Sequence, residues 1–111
     1  MHFLRFFRHS IVSSECKAGC PVAAVAIGAY VDREELSGVV RQSFRSWSAL
    51  LAEQLSGVGV ARARAQSLAV TALASVEGAL ILCRAQRSVG PLDAVASELR
   101  ILARGTELRR A

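Results

Sequence analysis

The chain has 111 residues and a net charge of +5, from 14 basic and 9 acidic side chains. That length fits one domain with one core, and 52% apolar against 21% charged residues excludes a disordered tail. Two prolines in a chain rich in Ala, Leu and Arg leave long helix-forming stretches unbroken, which excludes a sandwich or barrel built from many short strands.

The opening stretch, Met1 to Ser10, is apolar and basic. Arg5 and Arg8 interrupt it, so it lacks the continuous apolar run of about 7–15 residues that a signal peptide needs. Lys17-Ala18-Gly19-Cys20 approaches a lipoprotein cleavage box, but Lys17 stands where an apolar residue belongs. Residues 3–13 read as a short amphipathic helix with Phe3, Phe6, Phe7 and Ile11 on one side, and 13–19 as a loop. Pro21 suits a first helical turn, and the apolar residues from Val22 to Ile27 predict a mostly buried helix over 21–31.

Asp32 then reads as an N-cap, with Glu35 at capping-box spacing and both Glu34 and Glu35 at the positive end of the helix dipole. The helix predicted over 33–56 carries one stripe, Leu36, Val40, Phe44, Trp47, Leu51 and Leu55, at gaps of 3 and 4. Gly57 is its expected C-terminal cap. A third long helix is predicted over 61–87. Leu73, Val76, Leu80 and Cys83 fill one face, and the small residues Ser67, Thr71, Ala74, Ser75, Gly78 and Ala79 gather on another. Pro91 can open a last helix over 91–104, with Leu92, Val95, Ala96, Leu99, Leu102 and Ala103 on one face. Residues 105–111 read as a frayed basic tail.

The fold class is therefore all-α, an antiparallel bundle of four to five helices. The second half of helix 61–87 is apolar around nearly its whole circumference, and few helices are available to surround it. A second copy of the chain is the economical cover, the last two helices of each forming a dimeric four-helix interface. The interface candidates are Thr71, Ala74, Ser75, Gly78, Ala79, Leu82, Leu92, Val95, Leu99 and Leu102. No membrane span is expected: the run from Pro21 to Val31 is short, and Ser67 to Cys83 contains Glu77.

The thirteen arginines are scattered, with no aromatic residues laddered between them. They read as solvated helix surface ahead of a polyanion site. Tyr30, Phe44, Trp47 and Leu51 line either an apolar pocket or the plain core. Glu77 must find a donor or become neutral if buried; pairing with an arginine comes first, contact with a ligand second. Three cysteines make no disulfide framework, which makes a reducing cytoplasm the default. Cys16, Cys20 and Cys83, with His2 and His9, do not assemble a zinc set. Cys20 before a helix reads as a packed turn residue, with a redox-responsive thiol as the lesser reading. No catalytic constellation is present, so no enzyme, cofactor or metal is expected.

Gly19-Cys20-Pro21-Val22-Ala23-Ala24-Val25-Ala26 resembles the loop-to-helix lead-in of TetR-family transcriptional regulators of the LmrA/YxaF-like branch, as does Phe44-Arg45-Ser46-Trp47. The segment from Ala74 to Ala85 resembles that branch's penultimate helix, and Ser88-Val89-Gly90-Pro91-Leu92-Asp93-Ala94-Val95 its hinge into the final helix. The likeness runs over about residues 12–104. It implies a C-terminal domain that binds a small lipophilic effector and dimerises through its last two helices. A full member carries a helix-turn-helix ahead of the lead-in, where this chain has 18 residues. DNA contact is thus expected only through a helix-turn-helix not present here. Residues 1–13 read as a poorly matching helix remnant and 14–104 as the regulatory domain. The alternative is a stand-alone dimeric helical module that pairs with a full-length relative.

Overall fold

The computed structural model describes residues 2–15, 20, 22 and 33–110, and no strand occurs among them. Four helices follow in order: α1 (His2–Ser13), α2 (Glu34–Gly57), α3 (Arg62–Gln86) and α4 (Gly90–Arg110). The all-α expectation holds. The helix predicted over 21–31, Tyr30 within it and the Asp32 cap lie outside the described residues.

The ends of α2 differ from the sequence reading in instructive ways. Arg33 holds the N-cap place and makes no side-chain cap hydrogen bond, because a guanidinium has only donors to offer. Glu34 and Glu35 still occupy the first turn, where the helix dipole favours them. At the other end Gly57 is helical, and Gly59 takes the left-handed turn with φ +104°. The Gly59 N–H donates to Ser56 O at 3.1 Å and the Val60 N–H to Leu55 O at 3.0 Å. Those two bonds form a Schellman motif, which places its left-handed residue just beyond the cap. Val58, being β-branched, could not take that conformation cheaply. Val60 is then buried, fixing the turn into α3.

The turn from α3 to α4 uses a similar device without glycine. Arg87 is left-handed at φ 53°, a strain of about 1–2 kcal/mol for a residue with a Cβ, and the Ser88 N–H closes on Cys83 O at 3.1 Å. Ser88 Oγ accepts the Gly90 N–H at 3.0 Å, and Pro91 sits in the first turn, where no donor is needed. The helix continues through Gly105 to Arg110, beyond position 104 where the sequence suggests a tail. A glycine costs a helix only about 1 kcal/mol relative to alanine, and no proline follows to end it.

α3 is the central element, packed against α2 on one side and α4 on the other, with α1 touching both α3 and α4. Ala72, Val76, Ala79, Leu80 and Cys83 of α3 meet Leu92, Ala96 and Leu99 of α4, with Ile11 of α1 in the same cluster. A second cluster joins Leu51 of α2 to Ala69 and Leu73 of α3. α1 is thus part of the main core. Arg8 Nε donates to Asp93 Oδ1 at 3.0 Å across the α1–α4 contact; with both side chains half-exposed, this pair adds at most about 1 kcal/mol. The molecule measures 46 × 33 × 17 Å, about two helix layers deep.

Candidate functional site

The stripe on α2 positions the aromatic residues. Phe44 and Trp47 stand edge to face, with ring centroids 5.6 Å apart and planes at 85°, a preferred aromatic geometry. Trp47 packs against both core clusters, so it joins the α2–α3 contact to the α3–α4 contact. Leu51, one turn on, is buried against Ala69 and Leu73. It also lines a cleft of about 320 Å³ formed where α2, α3 and α4 meet. Leu55, Leu68, Ala72 and Leu99 supply apolar walls, and Gln54, Arg100 and Arg104 the polar groups. A small hollow of about 110 Å³ lies beside it, between Trp47, Leu50, Leu51 and Gln54.

The structure thus brings Leu51 and Trp47 to the cleft and its neighbouring hollow. It uses Phe44 to brace Trp47, and it places Glu77 elsewhere. Glu77 accepts a hydrogen bond from the Cys20 thiol. Its Oε1 is buried without a hydrogen-bond partner among the described residues. Among the described residues no arginine pairs with it, where the sequence reading put such a pairing first. Burial pushes its carboxyl above the ordinary 4.5, and the bond from Cys20 opposes that only in part. Cys20 is itself buried, which fits a packed turn residue better than a reactive thiol.

The raised carboxyl carries a sign. The folded state holds the Glu77 proton more tightly than the unfolded state, so this contribution to stability is complete below pH 4.5. It is lost as pH rises through the folded pKa. Glu77→Gln should therefore gain on the parent chain as pH increases from 4.5 upward, because the amide keeps an acceptor for Cys20 and never ionises. Melting temperatures across pH 4–8 check this; parallel curves for the two proteins would refute it.

A second feature is the exposed outer face of α3, with further large apolar side chains open on α4. Val70, Ile81 and Leu82 on α3 and Ile101 and Leu102 on α4 are exposed. Between the large residues of α3 lie Thr71, Ala74, Ser75 and Gly78, all exposed or half-buried. The Thr71 hydroxyl donates to Ser67 O at 2.9 Å and the Ser75 hydroxyl to Thr71 O at 2.7 Å. Both hydroxyls are satisfied within the helix, so this face offers mostly carbon to its surroundings. By length and composition α3 could also cross a membrane, as the apolar central helix of a bundle often can.

The sequence model of the family described as "Transcriptional regulator LmrA/YxaF-like, C-terminal domain" matches residues 1–98. The chain belongs to that family. It is a TetR-type C-terminal domain of a transcriptional regulator, and the match begins at residue 1, so it takes in α1. Two curated relatives are 39% identical over 101 aligned residues. Both are described as uncharacterised HTH-type transcriptional regulators of Mycobacterium tuberculosis, from strains CDC 1551 and H37Rv. Each alignment covers 86% of this chain and 52% of the relative, so the chain spans about half the length of the relatives it matches. No solved structure matches it.

Within this LmrA/YxaF-like domain the sequence-derived interface candidates divide into two groups. Thr71, Ala74, Ser75, Gly78, Leu82 and Leu102 stand exposed or half-buried. Ala79, Leu92 and Leu99 do not: they are 1%, 2% and 6% exposed, and Val95 is packed against their cluster. These four belong to the contact between α3 and α4 of one chain. The periodicity of α4 marks its apolar face but not which helix covers it, and α3 of the same chain is nearest. The exposed Ile81 and Ile101, and Leu68, Arg100 and Arg104 at the cleft, were missed. The arginines four apart on α4 were the available signal for the cleft.

Proposed function

We propose that this chain is the effector-binding and dimerisation domain of a TetR-family repressor working in the cytoplasm. The observation that carries the reading is the exposed outer face of α3, where Ile81 and Leu82 stand in the open beside the small residues Ala74 and Gly78. Large contiguous apolar surface marks an interaction site. Gly78 sits mid-helix, at a propensity cost of about 1 kcal/mol, and a Cβ there would meet nothing within 4 Å inside the chain. Close approach of another chain's helix gives that glycine a purpose. A two-fold pairing of α3 and α4 makes a four-helix interface.

The cleft between α2, α3 and α4 supports the effector half of the reading. It is concave, mostly apolar and carries a few polar groups, as small-molecule sites do. In a complete regulator DNA reading falls to a helix-turn-helix outside these residues. An effector that prefers the DNA-incompetent arrangement of the dimer then lowers operator affinity by population shift. Light scattering over a range of concentrations tests the dimer: a mass about twice that of the chain is expected, and a stable monomer throughout would overturn it.

A further inference from the structure

We propose that the cleft takes an amphiphilic anion, an apolar body of about ten heavy atoms ending in a carboxylate or comparable acid. This rests on the reading of the cleft as the effector site and names the chemistry of its ligand. The volume is about 320 Å³, at the lower end of the range for small-molecule sites. At about 30 Å³ per heavy atom, water's share of liquid volume, it holds roughly ten. Leu51, Leu55, Leu68 and Leu99 offer that body no hydrogen bond, so an alkyl or ring skeleton fits and a polar one is penalised.

The charged end is selected by Arg100 and Arg104. They lie one helical turn apart, which puts their Cβ atoms about 6 Å from each other on one side of α4. Both line the cleft, and the lining contains no carboxylate among the described residues. Glu53, next to Gln54 in sequence, lines a different groove with Arg62. Asp93, near the start of α4, is engaged by Arg8. Neither Arg100 nor Arg104 forms an ion pair among the described residues. Two unpaired guanidiniums over an apolar cleft match a carboxylate's two oxygens, with Gln54 as a further donor. A cationic ligand would meet repulsion from both.

Calorimetry with decanoate, decan-1-ol and decyltrimethylammonium, each below its micelle concentration, tests this. Decanoate is expected to bind at least tenfold tighter than decan-1-ol, and the cation weakest of the three. The Arg100→Ala/Arg104→Ala variant, whose changes are on exposed positions, should bring decanoate down to the affinity of the alcohol and leave the alcohol within twofold. Equal binding of decanoate and decan-1-ol by the parent chain, or unchanged decanoate binding by the variant, would overturn the anion preference and leave the effector cleft standing. Absence of saturable binding by all three probes would overturn both.

Discussion

Gly78→Arg is expected to leave the chain folded and to raise the dissociation constant of the proposed dimer by about 100-fold or more, equivalent to about 2.7 kcal/mol. The position is exposed and a Cβ there meets no atom within 4 Å, so one chain alone has room for the longer side chain. Helix propensity even favours the change, since arginine is a better helix former than glycine by up to about 1 kcal/mol. In a dimer packed through the outer face, the guanidinium would be forced between helices among Ile81, Leu82 and their partners. Burying an unpaired charge there is strongly unfavourable. Gly78→Ala separates the two effects. It should raise helix stability by roughly 0.5–1 kcal/mol and weaken the dimer less than arginine does. Sedimentation equilibrium with circular dichroism reads both; a Gly78→Arg chain that stays fully dimeric would remove α3 from the interface.

Leu92→Ala and Leu82→Ala are expected to fail in different ways, although the sequence groups the two leucines together. Leu92 is 2% exposed in the cluster with Val76, Ala79 and Cys83. Its truncation leaves a cavity and should cost about 2–5 kcal/mol. That is a large part of the roughly 5–15 kcal/mol of a typical domain, and the loss should be the same at every protein concentration. Leu82 is 48% exposed. Its truncation should change the stability of the folded monomer by no more than about 0.5 kcal/mol and act instead on association, so its melting temperature falls most where dimer is most populated. Thermal melts over a hundredfold range of concentration tell the two apart. A concentration-independent loss of several kcal/mol for Leu82→Ala would place that residue in the core.

The helices were legible because their signals are local. The stripe of Phe44, Trp47, Leu51 and Leu55 follows the helical period, and it does face α3. Glycine and proline punctuation located the turns to within a few residues. Gly57 against Gly59 was not decidable from composition, because the Schellman bonds to Leu55 and Ser56 select which of two nearby glycines turns left-handed. The cleft was half legible. Leu51 and Trp47 were found from α2 alone, whereas Leu68, Leu99, Arg100 and Arg104 reach it from two other helices. Glu77 stood out as a carboxylate in an apolar helix; that its hydrogen-bond donor is the Cys20 thiol depends on a contact between positions far apart in the chain.

Length, composition and charge established by themselves a single helical domain, and the residues from Gly19 to Val95 carried its kinship with the LmrA/YxaF-like regulators. The tertiary structure decided which apolar residues serve the chain's own core and which remain outside. Ala79, Leu92 and Leu99 went to the core; Ile81, Leu82 and Ile101 stayed in the open. A helical period records that a face is apolar, but burial is a property of neighbours. With α2 on one side of α3 and α4 on the other, no further helix among the described residues closes the last face of α3.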